Sequence, residues 1–151
     1  MRNILIKKPG EFVRQFSVML ENRVGSFTSL LGLLQSRGIV CVGCGIQDGQ
    51  EVSIARMVVS DPYATLEVFV EKGISFHTCE VLVVILKQGA ADMQECLDKL
   101  FRAEINVNFM YALLPVMKKT MLVLHVEDVP FAAEVLNKAG FCICRQQDLS
   151  R

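Results

Sequence analysis

Apolar residues recur along this chain with two periods, one of two residues and one of about three and a half, and the periods alternate in the same order twice. Between Phe12 and Leu20, Phe16, Val18 and Leu20 share one face with Gln15, Ser17 and Met19 between them, which predicts a half-buried strand. Phe27, Leu30, Leu31 and Leu34 then stand at i, i+3, i+4 and i+7, a helical stripe, with Gly38 just beyond it where a left-handed cap is cheapest. Ile39 to Gln47 and Glu51 to Ser60 read as two strands joined at Asp48-Gly49, a type I′ hairpin signal. Asp61 is placed to cap the next helix, with Pro62 at its first position; Leu66, Phe69 and Val70 are its expected buried stripe and Lys72-Gly73 its end. Ser75 to Thr78 reads as a short closing strand.

The second half follows the same order. Glu80 to Leu86 predicts a strand, and Met93, Cys96, Leu97, Leu100 and Phe101 a helix. Ile105 to Leu114 and Thr120 to Val126 are strands around a turn containing Pro115 and Lys118. Asp128 caps a helix buried through Phe131, Val135 and Leu136, Gly140 ends it, and Phe141 to Arg145 is the last strand. Landmarks recur at a fixed offset of 67 (128 − 61, 134 − 67, 140 − 73): Asp61 and Asp128, Glu67-Val68 and Glu134-Val135, Gly73 and Gly140. The order strand, helix, strand, strand, helix, strand is a split βαβ unit, which predicts an α+β fold of two ferredoxin-like βαββαβ repeats. Each has an antiparallel sheet with both helices on one face. The expected division is an N-terminal extension over 1–10, a first repeat over 11–78 and a second over 79–151.

Composition narrows the partners. Lysine plus arginine equals aspartate plus glutamate at 16 each, with the charges scattered, so the chain lacks the footprint expected of a nucleic-acid or anionic-membrane binder. RRM sheets also carry aromatics on exposed central strands for base stacking, where this chain has Val81, Val83, Val84 and Ile85, or Met57, Val58 and Val59. Ile4 to Ile6, followed at once by Lys7-Lys8-Pro9-Gly10, does not resemble a signal peptide, and the longest apolar run, Val81 to Leu86, is strand-sized. A cytoplasmic protein is the expectation. The six cysteines lie mostly inside apolar periodic segments, as small buried hydrophobes rather than a disulfide framework. Cys41-x-x-Cys44 and Cys142-x-Cys144 invite a zinc reading. However, positions three apart on a strand point to opposite faces, and Cys142 and Cys144, which share a face, read as small apolar filler on the closing strand, so no metal site and no cofactor is expected.

Leu20-Glu21-Asn22-Arg23-Val24-Gly25 ends the first strand and opens the first helix. Here the chain resembles the ACT domain family, whose small-molecule regulatory modules carry an Asn-x-Pro-Gly turn at this place, with Val24 in place of the usual proline. Phe109-Met110-Tyr111-Ala112 after Ile105-Asn106-Val107 resembles the second repeat of tandem ACT proteins, and the likeness covers roughly Phe12 to Asp148. Physical chemistry gives the turn its own rationale. A glycine allows close approach to the backbone, free amides around Ser26 and Phe27 with the helix dipole favour a carboxylate, and Asn22 offers donor and acceptors. Equally, Asn22 can simply complete a strand-to-helix turn.

The resemblance implies a ligand lying between that turn in one repeat and the start of the second strand in its neighbour. Asn106 stands at that strand start in the second repeat, while the first has Val40, and the second turn, Leu86 to Ala90, keeps only Gly89. The expected site is therefore single: Asn22, Arg23, Val24, Gly25 and Ser26 facing Asn106. Asn106 also fits a local role at a strand start.

Enzyme chemistry is not expected. His77 and His125 fall in strands, and the chain has no nucleophile elbow or phosphate-loop pattern. The expectation is a non-catalytic regulatory protein that binds a free amino acid, forms a homodimer through its sheet edges and reports to other proteins. The competing expectation is an interaction module or regulatory subunit of a separate amino-acid biosynthetic enzyme, with no ligand of its own.

Overall fold

A computed structural model describes residues 10–116 and 118–150. Most of the expected N-terminal extension, including Ile4 to Ile6, lies outside the described residues. The first repeat runs β1 (Val13–Glu21), α1 (Ser26–Ser36), β2 (Cys41–Gln47), β3 (Val52–Val59) and α2 (Pro62–Lys72). A single strand, β4 (Phe76–Leu86), links it to α3 (Met93–Arg102), β5 (Phe109–Val116), β6 (Lys119–His125), α4 (Val129–Lys138), β7 (Cys142–Cys144) and a terminal helix α5 (Gln146–Leu149). The strands expected at 75–78 and 80–86 are thus one, and the expected repeat division at 78/79 falls inside it.

β4 serves both repeats. Phe76 to Val81 pair antiparallel with β1, Leu82 to Leu86 pair with β6, and Val83 to Ile85 also pair with β7. Six of the seven strands form one path, β2-β3-β1-β4-β6-β5, and β7 pairs with β4 off that path. Each repeat buries its helices on one face of its part of the sheet, as the βαββαβ order requires. Phe16, Val18, Ala55, Met57 and Val59 pack under Leu30 and Leu34 of α1 and Val68 and Phe69 of α2. Leu82, Val84, Leu86, Leu122 and Leu124 pack under Cys96 and Leu100 of α3 and Leu136 of α4.

The other faces do not stay open. Val13, Val42 and Val58 of the first repeat meet Val83, Leu113, Met121 and Val123 of the second in a third core, with Val81 and Leu149. The two helix-free faces therefore cover each other, giving helix, sheet, sheet, helix layers. This removes the open sheet face that an RRM-type reader needs. The outer strands of the path meet as well: a Cβ on Gly43 of β2 would lie 2.5 Å from Leu113 Cδ2 and 3.0 Å from Leu113 Cα of β5. Glycine is required there by close approach between strands. A polar network crosses this core. Gln15, 1% exposed, accepts from the Tyr111 hydroxyl at 2.7 Å and donates toward Cys79 Sγ at 3.6 Å. Burial holds the Tyr111 hydroxyl well above its ordinary pKa, so it remains a donor.

Three local expectations need correction. The buried face of α2 is Pro62, Thr65, Val68 and Phe69, while Leu66 and Val70 are exposed. α4 shows a similar shift, burying Ala132, Ala133 and Leu136 and exposing Phe131. Thr65 can be fully buried because its hydroxyl donates to the Asp61 carbonyl at 2.8 Å, leaving no polar group unmatched. The β2–β3 connection is not a type I′ turn, because neither Asp48 nor Gly49 has positive φ. Four residues, 48–51, make the connection, and Gly49 is needed because a Cβ there would meet the Val52 carbonyl oxygen.

The third correction concerns β2, which carries a bulge: Cys41 pairs with Val59 and Gly43 with Val58, leaving Val42 extra. Cys44 then pairs with Met57, which lies on the helix side like Val59, so Cys41 and Cys44 share a face after all.

The Gln15–Tyr111 bond gives a direct test of the inter-sheet core. Tyr111→Phe leaves Gln15 Oε1 buried without its donor and is expected to lower unfolding free energy by about 1–3 kcal/mol in urea titration. A change under about 0.5 kcal/mol would mean that the hydroxyl is wet or the sheets are loosely docked.

Candidate functional site

The strand-to-helix turn of the first repeat opens a cleft of about 610 Å³. Its floor and walls come from the end of β1 (Met19, Leu20, Glu21), the turn (Arg23, Val24, Gly25), the first turns of α1 (Ser26, Ser29, Leu30, Leu33), and Gly73, Ile74 and Ser75 between α2 and β4. Gly73 to Ser75 come close because β4 runs antiparallel to β1, and Met19 N donates to the Ser75 carbonyl at 3.4 Å. Sequence pattern alone missed these residues. The signal was the sheet order, which places the fourth strand beside the first.

The mouth of the cleft is chemically incomplete. Gly25 caps α1 at φ +88, no side chain caps the helix, and no acidic residue stands in its first turn. By contrast, Asp61 Oδ1 accepts from Ala64 N and Asp128 Oδ1 from Phe131 N, each at 3.0 Å, at the starts of α2 and α4. The α1 end therefore keeps its positive dipole end toward the cleft, where an anion is stabilised. Ser26 Oγ is buried and, among the described residues, has no hydrogen-bond partner. A Cβ built on Gly25 meets nothing within 4 Å, so the space above the turn is open.

Four of the expected residues, Arg23, Val24, Gly25 and Ser26, line this cleft. Arg23 lies in an exposed ion pair with Glu21 at 3.0 Å, and Val24 projects fully into solvent at the lip. Asn22 is turned away. Its Nδ2 donates to Asp48 Oδ1 at 2.9 Å and to the Gly49 carbonyl at 2.8 Å, so it ties the turn to the β2–β3 loop. Asn106 lies elsewhere, in a separate cavity of about 610 Å³ with Glu104, Asn108, Glu127 and Asp128. There it donates to Asn108 Oδ1 at 2.9 Å, and Asn108 in turn bonds His125 Nδ1 at 2.9 Å. The expected facing of Asn106 and the Asn22–Ser26 turn does not occur within the chain. The physical reason is the docking: the sheets pack face to face, and every residue of the turn's cleft comes from the first repeat.

The matching position in the second repeat is nearly closed. Its cavity is about 140 Å³, with Gly140, Phe141 and Cys142 standing where the first has Gly73, Ile74 and Ser75. Asp92 folds back so that its Oδ2 accepts from Gln88 N at 2.9 Å, although no side chain caps α3.

Burial, and then the neighbouring Cys44, push the Cys41 thiol up to about 11, and burial pushes Cys96 and Cys144 to about 11 as well, which makes them poor nucleophiles. Among the described residues no group of three or more His, Cys, Asp or Glu side chains gathers to hold a metal ion. No helix of the described residues is long and apolar enough to cross a membrane.

A family model described as an ACT domain pair matches residues 11–151. No curated protein sequence matches the chain. Among solved structures, a protein of Bacteroides thetaiotaomicron is similar with a TM-score of 0.84 at 19% identity, covering 94% of this chain and 98% of that one. The ligand-free regulatory subunit of aspartate kinase from Thermus thermophilus gives 0.57 at 15% identity over 86% of this chain and 93% of its own. A chain of the aspartokinase alpha and beta subunits gives 0.56 at 16% over 84% and 91%. At these identities the likenesses show the fold.

The unpartnered serine makes the cleft testable without a ligand. Ser26→Ala removes a hydroxyl that has no partner, so the free chain is expected to be as stable as the parent or up to about 1 kcal/mol more stable in urea. A loss above about 1 kcal/mol would show that the hydroxyl already has a structural bond.

Proposed function

The chain belongs to the ACT domain pair family over residues 11–151, and from that premise we propose that it is a non-catalytic regulatory protein binding one free amino acid in the cleft between β1 and α1. The observation that carries this reading is the buried, unpartnered Ser26 hydroxyl at an uncapped helix start on an open cleft. A ligand carboxylate there would accept from Ser26 Oγ and the first α1 amides, with Arg23 close by. The ammonium group is the counterpart of Glu21, and the side chain would run over Leu30, Leu33 and Ile74, which favours an apolar amino acid.

Regulation then follows from linkage. The cleft includes the end of β1 and the start of the segment leading into β4, so a ligand there would stabilise the pairing of those two strands, and β4 would carry that effect to the second repeat. The reader of that state would be a second copy of this chain or a separate biosynthetic enzyme. The similar Thermus thermophilus structure is itself a regulatory subunit of aspartate kinase. A second reading, a subunit without a ligand, is favoured by exposed Val40, Ile46, Met110 and Leu114 on or beside the outer strands β2 and β5.

Isothermal titration with the twenty amino acids separates the two readings. One site per chain is expected, with an apolar amino acid bound best, and Ser26→Ala is expected to weaken it about tenfold, or about 1.4 kcal/mol. Heat from no amino acid would leave the subunit reading, and two equivalent sites would contradict the closure of the second turn.

A further inference from the structure

The bulge in β2 creates a thiol pair that the alternation of an ordinary strand would forbid. Cys41 and Cys44 pair with Val59 and Met57 on the helix side of the sheet, while Gly43 and Gly45 between and beyond them face Leu113 and Tyr111 on the other side. Cys44 is exposed and Cys41 half-buried, neither is in a disulfide, and the Cys41 thiol donates to the Gly43 carbonyl at 3.4 Å. The pair lies on an outer strand of the sheet path, reachable from solvent at Cys44.

Geometry decides what such a pair can hold. The bulge sets Cys41 and Cys44 opposite Val59 and Met57, two residues apart on β3, so their Cα atoms are separated by roughly 6.6 Å, at about 3.3 Å per residue. A disulfide needs the Cβ atoms about 3.5–4.5 Å apart, closer than side chains standing in parallel at that spacing, so closing one would require β2 to move. Zinc needs four ligands, and no third ligating side chain joins the pair among the described residues. An ion satisfied by two soft ligands spans a wider gap than an S–S bond and needs no third group.

We propose that Cys41 and Cys44 form a two-coordinate site for a soft monovalent cation, Cu(I) or Ag(I), bound between two thiolates on the helix side of β2. Thiolate selects such ions over zinc or magnesium where only two ligands are available. Binding is a proton exchange without a redox step: two thiols and one Cu(I) give a bis-thiolate complex and two released protons.

The full chain, fully reduced and under nitrogen, is titrated with Cu(I) against an excess of a chromophoric Cu(I) chelator. The parent is expected to withhold one equivalent, and Cys41→Ser with Cys44→Ser together to withhold none, while Cys142→Ser matches the parent. In the parent itself, Cu(I) is expected to protect Cys41 and Cys44 from iodoacetamide by at least tenfold in peptide mass mapping, a readout that does not depend on any variant folding. No copper withheld, a full equivalent withheld by the double variant, or equal alkylation of both cysteines with and without Cu(I) would each overturn the site.

Discussion

The length of β4 is the constraint from which the remaining geometry follows. Eleven residues run without a break from the pairing with β1 to the pairings with β6 and β7, so one backbone supplies hydrogen bonds to both repeats. Its alternation does the rest. Val81 and Val83 point into the core between the sheets, while Leu82, Val84 and Leu86 point to α3 and α4, and all are buried. At about 1.5–3 kcal/mol for each fully buried aliphatic side chain, both faces resist a register slip that would exchange them. The continuous apolar run that resembles a central strand is therefore buried on two sides, by helices on one and by the opposite sheet on the other.

Face-to-face docking also sets what the two turns can do. It consumes the helix-free surfaces, so ligand chemistry is left to the strand ends. There the repeats differ by a few side chains. In the first, Gly25 leaves α1 uncapped and Ser26 without a partner beside a large cleft. In the second, α3 also starts without a side-chain cap, but Asp92 Oδ2 is held by Gln88 N, the cavity is small, and Phe141 stands where Ile74 leaves space. A helix start without a cap is stability left unclaimed, about 1 kcal/mol for a typical cap, and that is the feature a binding site keeps open.

Much of this was legible from the residues. The 67-residue offset, the Asp61 and Asp128 caps and the strand–helix order give both repeats and their helix-covered faces. The turn at Asn22 to Ser26 was legible as a cleft rim, but not the role of Asn22, whose side chain serves the β2–β3 loop. What escaped depends on long-range packing. Leu66 and Val70 satisfy helical periodicity as well as Thr65 and Val68 do, and only the placement of the sheet, with the Thr65 hydroxyl matched to Asp61, selects the buried set. No local signal says that two sheets meet by their faces, and that choice separates Asn106 from the turn. The bulge at Val42 was announced by Gly43 and Gly45 within one strand, since glycine in a strand marks a bulge or a close backbone approach, and here it marks both.

Because β4 and the core between the sheets belong to both repeats, neither repeat has an independent unfolding route. Scanning calorimetry of the ligand-free chain tests this most directly. A single transition with calorimetric and van't Hoff enthalpies in a ratio near one is the predicted result. Two resolved transitions, or a van't Hoff enthalpy near half the calorimetric value, would contradict it and return the repeats to separate domains joined by a strand.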